Sequence, residues 1–395
     1  MVREPLAFSP LQEIPQVLNA VPKQTMAQGY RVDRKDFADF LKMAKLASTF
    51  LNGVILQGRD GRLCAHVGGR LVTSYLDLGE GENSPPILAP FNELAEALRV
   101  MTDTHVTLAW DYQFLTVTGA KSRRKIAVTD DINFLTMPRG IPTYPFPVAP
   151  ILEALPAILK IVKPDSPRNY GTVVHLSVDP RLHVSFVGTD GFRLAYSKHE
   201  TPIGMSKLDQ VNLPYYGAMT LLALARQVAT GGKPGEVLRL GVSEDQATLV
   251  ASSDTATVFI RTSAVKYPNY QGVIPKARSG GHSFIVKEFL PVVRQALQSS
   301  DKSCAMRILA GDEGQMIVQA KAHKDAPASE FRHDLPGGCF SLPYAMACNA
   351  RFLVDVLTPT KAKVGIMTFG EDNDTPFTIT LGNVTSVLVP IKEAD

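Results

Sequence analysis

Residues Phe186 to Ala195 read FVGTDGFRLA: an apolar run, a Thr-Asp-Gly corner, then an aromatic, an arginine and a second apolar run. Two readings compete for Asp190. Asp-Gly between apolar strands supplies the positive φ of a tight hairpin. A catalytic carboxylate would need a histidine or second carboxylate at a useful spacing, and the neighbouring sequence offers none. The turn is therefore the expected role. It leaves Phe192-Arg193-Leu194 unexplained, and an arginine between an aromatic and a leucine is the composition of a protein-docking patch.

Outward from this stretch, one pattern recurs three times. The first pass places a helix on Arg34 to Ala47, with Phe37, Leu41 and Ala44 on one face. Strands follow in GVILQG, LCAHVGG and LVTSYLDL, the first two separated by a turn at Arg59-Asp60-Gly61. A helix in APFNELAEALRVM, the hairpin HVTLAW-DYQ-FLTVTG and the strand RKIAV complete it. The second pass has a helix in PVAPILEALPAILKIV, with Pro156 as a possible kink, then strands around the opening stretch. A helix in PYYGAMTLLALARQVA, ended by Gly231-Gly232, and the strands of Glu236 to Thr262 close it. The third pass repeats the order in KEFLPVVRQALQSS, CAMRILAGDEGQMIVQAKA, LPYAMACNARFLVDVLTPT (read as the helix) and the strands of Lys363 to Pro390. Links rich in Pro or Gly lie near Thr136 to Pro147 and Tyr267 to Gly281.

The expected fold class is α+β, with three tandem domains at 29–140, 141–275 and 276–395, each helix–strands–helix–strands. Residues 1–28, rich in Pro and polar side chains, read as an N-terminal arm.

Length and composition suit a soluble protein with two or three cores. No apolar run is long enough to span a bilayer and the N-terminus lacks a signal peptide's apolar core, so a cytoplasmic location is expected. The 4 cysteines, Cys64, Cys304, Cys339 and Cys348, form no C-x-x-C pair and read as buried thiols. No metal and no cofactor is expected. A net charge of +3 neither demands nor excludes a nucleic-acid partner, because clustering matters more than the sum.

Four motifs together resemble the bacterial β sliding clamp, the DNA polymerase III β subunit. GTDGFRLA resembles the family's A-T-D-G-H-R-L-A. KYPNYQGVIP (Lys266 to Pro275) resembles the linker F-P-D-Y-x-x-V-L-P. NARFLVDVL (Asn349 to Leu357) resembles N-x-x-Y-L-x-D-V-L, and VTSVLVPIK (Val384 to Lys392) resembles the closing strand that ends in M-P-x-R. The motifs stand in family order, and the three passes cover nearly everything after Tyr30.

The resemblance implies a homodimeric ring of two three-domain subunits closed head to tail. Helices would line a hole for duplex DNA, held without sequence preference, with sheets on the outside. It implies a processivity factor with no catalytic residues, opened by a clamp loader. Its partners would be the DNA polymerase III alpha subunit and other polymerases and repair proteins carrying a short clamp-binding motif. They would dock in a cleft whose matching positions here are Thr189, Gly191, Phe192, Arg193 and Leu194. The linker adds Pro268, Gly272 and Val273, and the last helix Asn349 and Phe352. The last strand adds Val387, Val389, Pro390 and Ile391. Val387 and Val389 also fit ordinary strand core, whereas Phe192 and Ile391, beside a turn and near the terminus, are expected outside it. Phe192 replaces the usual histidine, and Gly272 stands where many members carry arginine. Glu393-Ala394-Asp395 extends past the usual end, and members of the family are usually acidic.

A sliding protein needs cations facing phosphates without base readout. Lys42 and Lys45 lie three apart, opposite Phe37 and Leu41, and Lys160 and Lys163 lie three apart behind Leu152, Leu155 and Leu159. Arg99, Arg226, Lys287, Arg294 and Arg351 sit on the other helices, although basic residues near helix C-termini are favoured by the macrodipole alone. Arg168 and Tyr170 complete the expected DNA-facing set.

An enzyme is the first rival. Gly231 to Glu236, GGKPGE, lacks the Lys-Ser/Thr step of a phosphate loop and follows a helix; there is no G-x-S-x-G, and the 8 histidines form no H-x-x-x-H pair. The second rival is an adaptor that keeps the cleft without a ring.

Overall fold

The computed structural model describes residues 29–46, 53–132, 140–181, 183–200, 208–230, 236–275, 281–320, 327–335, 340–342 and 345–392. The expected N-terminal arm, Cys339, most of the GGKPGE stretch and the last three residues lie outside them.

Along the chain come β1 (Tyr30–Asp33), α1 (Arg34–Leu46), β2 (Val54–Arg59), β3 (Arg62–Gly68), β4 (Val72–Glu80) and β5 (Ile87–Ala89). Next are α2 (Phe91–Val100), β6 (His105–Trp110), β7 (Phe114–Thr118), β8 (Arg123–Ala127), β9 (Tyr144–Pro147) and α3 (Val148–Ile161). The middle holds β10 (Val173–Val178), β11 (His183–Thr189), β12 (Arg193–Glu200), β13 (Val211–Pro214), α4 (Tyr215–Ala229), β14 (Val237–Val242), β15 (Thr248–Ser252) and β16 (Ala256–Arg261). The last part holds β17 (His282–Ile285), α5 (Val286–Ser299), β18 (Ala305–Ala310), β19 (Met316–Ala320) and β20 (Ser329–His333). It ends with β21 (Met346–Asn349), α6 (Ala350–Leu357), β22 (Val364–Thr368), β23 (Phe377–Leu381) and β24 (Val384–Leu388).

Compactness divides these elements into two units, whereas the sequence pattern divides into three passes. Unit 1 holds the chain up to Val148 and residues 216–262; unit 2 holds residues 149–201, 208–215 and 263–395.

In unit 1 one sheet runs β1-β6-β7-β8 and the other β5-β2-β3-β4-β16-β15-β14-β9, with every pairing antiparallel. The eight-stranded sheet joins two strand groups distant in sequence through β4 and β16, from Val72 opposite Ile260 to Leu76 opposite Ala256. Helix α1 starts where the Asp33 carboxylate accepts the Asp36 N–H at 2.9 Å, an N-cap that satisfies one orphan donor. It buries Phe37, Phe40, Leu41, Met43 and Ala44, and α2 buries Phe91, Leu94, Ala97 and Leu98 at helical spacing. The expected turn between β2 and β3 forms with Asp60 and Gly61 both at positive φ, 53° and 75°, as a two-residue hairpin requires.

Unit 2 repeats the plan, with sheets β13-β10-β11-β12-β24-β23-β22-β17 and β20-β19-β18-β21. Its long sheet is joined by β12 and β24, from Arg193 opposite Leu388 to Ser197 opposite Val384. A core of Phe284, Phe289, Phe377, Met346, Leu353 and Leu388 binds α5 and α6 to the sheets. The helix expected over LPYAMACNARFLVDVLTPT is shorter: Met346–Asn349 is a strand and the helix begins at Ala350. Asn349 ends the strand, and its side chain accepts the N–H groups of Arg351 and Phe352 at 2.9 and 3.4 Å. Helix α3 runs through Pro156. Cys348 is buried and Cys64 partly so, and burial pushes their thiols up to about 12 and about 11, which suits inert packing.

Candidate functional site

The opening stretch forms the β11–β12 hairpin in unit 2. The Thr189 hydroxyl donates to the Arg193 carbonyl at 2.7 Å and accepts the Gly191 N–H at 3.0 Å. The Asp190 carboxylate accepts the N–H groups of Phe192 and Arg193 at 3.0 and 3.1 Å through one oxygen, and the Arg193 Nε at 3.0 Å through the other. These bonds use Asp190 as a turn former. Gly191 carries the positive φ, 86°. A Cβ there would also lie 2.5 Å from Arg168 Nη1 and 2.9 Å from the Tyr170 hydroxyl. Glycine is required on both counts.

The side chains beyond the turn separate by depth. Arg193 is only 7% exposed. Its Nη1 donates to Asp355 Oδ2 at 2.9 Å, its Nη2 to the Lys160 carbonyl at 3.4 Å, and its guanidinium lies 4.2 Å from the Phe352 ring centroid. A desolvated cation persists only with such partners, so Arg193 bolts the hairpin to α6 and to the end of α3. Phe192, by contrast, is 56% exposed, and the Arg168 guanidinium lies 4.6 Å from its ring centroid while donating to the Asp190 carbonyl. Beside it the Val389 N–H donates to the Phe192 carbonyl at 3.3 Å, and the Ile391 N–H donates to Ala347 at 2.8 Å. The first bond brings Val389 onto the corner, and the second ties Ile391 to β21.

An apolar bed adjoins the corner. Val187, Leu194 and Val387 form one buried cluster, with Tyr196, Tyr267, Tyr270 and Ile274 packed against it. Pro390 is buried and Ile391 half-buried, while Val389 and Val273 stand out, 47% and 54% exposed. Burial, partner bonds and an exposed apolar rim thus coincide on four segments distant in sequence. Such a surface can hold short apolar side chains.

Among the described residues, no group of three or more His, Cys, Asp or Glu side chains could hold a metal. No family model matches the chain, and no curated protein matches it. Solved structures do. DNA polymerase III subunit beta from Pseudomonas aeruginosa matches with a TM-score of 0.78 over 93% of this chain and 100% of that one, at 16% identity. The Thermotoga maritima beta subunit gives 0.77 over 93% and 100% at 16% identity. Caulobacter crescentus pol III beta gives 0.77 over the same shares at 18%. This chain has the fold of the sliding clamp.

Within that fold, the sequence-derived positions fall into two tiers. Phe192, Val273, Val389, Pro268 and Gly272 are exposed, whereas Thr189, Arg193, Leu194, Val387 and Pro390 are buried beneath or behind them. Val387 is strand core, but Val389, read as a core candidate too, has left the strand and faces out. Asn349 and Phe352 are half-buried at the start of α6. Around a Cβ at Gly272 the nearest group is Asn269 Nδ2 at 4.0 Å, so an arginine would fit there and its absence leaves that wall low.

Sequence reading passed over Asp355, although it lies inside the quoted motif NARFLVDVL three residues after Phe352. It also passed over Tyr196, Tyr267 and Tyr270. Arg168 and Tyr170, expected in the DNA-facing set, lie beside the Gly191–Phe192 corner. The other nine cations, Lys42, Lys45, Arg99, Lys160, Lys163, Arg226, Lys287, Arg294 and Arg351, are exposed. Arg99 is bound to Glu96 at 2.7 and 2.8 Å, which partly neutralises it. No described helix is long and apolar enough to cross a membrane.

Proposed function

We propose that the chain is a non-catalytic sliding clamp of the cytoplasm, encircling duplex DNA as a head-to-tail homodimer. It would tether the polymerase alpha subunit and repair proteins at the Phe192 corner, with a clamp loader to open it. The observation that carries this reading is the corner itself: an exposed rim of Phe192, Val389 and Val273 over a buried apolar bed, on a chain with the clamp fold. Apolar anchors in such a bed are worth about 1.5–3 kcal/mol each, so a short peptide would bind at roughly micromolar strength. Exposed cations on all six described helices, or just past them, supply sequence-independent attraction to phosphates. Edge strands support self-association: β8 and β20 each end a sheet, leaving backbone groups to pair.

The test is retention on DNA together with mass in solution. A dimer near twice 42.9 kDa that stays on loaded circular DNA at moderate salt, and slides off once the circle is cut, is the expected result. Tight, sequence-dependent binding to a short duplex contradicts sliding, and a strict monomer at micromolar concentration favours the adaptor.

A further inference from the structure

The linker that carries Pro268, Gly272 and Val273 is held in unit 2 by a polar and aromatic latch. The Tyr267 ring stacks on His175 of β10, with centroids 4.3 Å apart and planes 6° from parallel, and Tyr270 meets the same imidazole edge-on at 6.2 Å. His175 Nδ1 lies 2.8 Å from Asn212 Oδ1 in β13. The Asn212 amide is itself oriented by the linker: its Nδ2 donates to the Val265 carbonyl at 2.8 Å and to Ser263 at 3.4 Å. Its backbone carbonyl accepts the Ser263 N–H at 2.9 Å. Because Nδ2 is spent on the linker, Oδ1 faces the ring, and the network assigns the His175 proton to Nδ1 as donor. A further bond joins Ser177 to the Tyr270 hydroxyl at 3.0 Å.

We infer that His175 and Asn212 are positioning residues of the docking surface, fixing the linker wall by stacking and by one hydrogen-bonded chain, and that acid releases this wall. The inference rests on the proposed docking role of the corner. Neither residue reaches the rim; they act through Tyr267 and Tyr270, which pack against the bed of Val187, Leu194 and Val387.

The sign follows from burial. His175 is 3% exposed under the linker; burial lowers its affinity for a proton, while Asn212 and the nearby Asp209 oppose that shift. The other groups facing it are the phenols of Tyr267 and Tyr270 and, across β11, the uncharged Val187. With the linker lifted, the imidazole regains water and its ordinary value of about 6.5. Protonation between that value and the lowered one therefore favours the lifted state.

The experiment uses the full chain, with hydrogen exchange of residues 263–275 and titration of a labelled Gln-Leu-x-Leu-Phe peptide at pH 7.5 and 5.5. In the wild type, linker exchange corrected for intrinsic rate should accelerate about tenfold at the lower pH, and peptide affinity should fall about three- to tenfold. His175→Phe, which keeps an aromatic face and cannot titrate, should flatten both responses; His175→Gln does the same if the first variant fails to fold. Equal linker exchange at the two pH values, or an unchanged response in both variants, overturns the inference. Linker release without any change in peptide affinity overturns the positioning role. No peptide binding at pH 7.5 sinks the docking reading, and linker exchange then still decides the latch.

Discussion

Two hairpin junctions share one backbone. In unit 1 the Arg261 N–H at the end of β16 donates to the Leu71 carbonyl at 2.8 Å; in unit 2 the Val389 N–H just past β24 donates to Phe192 at 3.3 Å. Val72 opposite Ile260 matches Arg193 opposite Leu388, and Tyr75 opposite His66 matches Tyr196 opposite Val187. The side chains diverge on this common frame. Where unit 2 has a buried arginine beside an exposed phenylalanine, unit 1 has Val72 beside Leu71, 37% exposed. Where unit 2 sets Leu194 against Val387, unit 1 sets Thr73 against Phe259. The repeated backbone therefore carries two different surfaces, and the docking role proposed for unit 2 rests on the side chains placed on it.

The largest expected difference lies at the paired positions Arg193 and Val72. Arg193→Met would take the guanidinium from Asp355 and leave Asp190 with its two backbone N–H bonds alone, and should cost about 2–4 kcal/mol of stability. Val72→Ala removes only apolar contact and should cost about 2 kcal/mol or less. Urea unfolding measures both, and an Arg193 cost below that of Val72 breaks the comparison.

A smaller difference is expected with pH. His66 meets Tyr75 edge-on with centroids 4.2 Å apart, and burial, helped by Arg59, lowers its value from 6.5 to about 4. The folded state thus binds fewer protons than the unfolded one below pH 6.5, and stability falls as pH drops from there towards 4, by about 2–3 kcal/mol. Its counterpart Val187 carries no proton. His66→Phe should therefore remove this part of the acid sensitivity, read as the shift of the urea midpoint between pH 7 and 5. An unchanged shift would mean that the sensitivity lies elsewhere.

The smallest expected effect concerns the cations. Lys42→Gln with Lys45→Gln should make the salt dependence of duplex binding shallower by about 2 in slope, roughly 0.9 per phosphate contact. Changing Arg99, already bound to Glu96, should do less. Equal effects would erase the distinction between paired and unpaired cations.

Local features were legible in the sequence where one residue type answers one local demand. Asp60-Gly61 and Asp190-Gly191 read as turns because few residues suit those corners, and Phe192 read as exposed because it adjoins one. Arg193 reads as part of a surface because it stands between an aromatic and a leucine; Asp190 is near it in sequence, but its second carboxylate partner, Asp355, is brought there only by the fold, 162 residues away. The strand Met346–Asn349 vanished into the following helix because a short apolar run has no period of its own. Arg168 and Tyr170 follow α3 but pack on the hairpin, a placement that helix periodicity cannot report. The linker latch was invisible for the same reason, since His175, Asn212 and Tyr267 come from three separated segments.

The most direct test of the docking surface is a peptide titration on matched variants of the two junctions. A labelled Gln-Leu-x-Leu-Phe peptide is titrated against wild type, Phe192→Ala and Leu71→Ala, and against a chain truncated after Leu388. Placing the docking surface at the unit 2 junction predicts micromolar binding to wild type and Leu71→Ala alike. Phe192→Ala should bind about 10- to 30-fold more weakly, corresponding to about 1.5–2 kcal/mol, and the truncated chain more weakly still. Equal binding to all four forms, or a loss confined to Leu71→Ala, would contradict it.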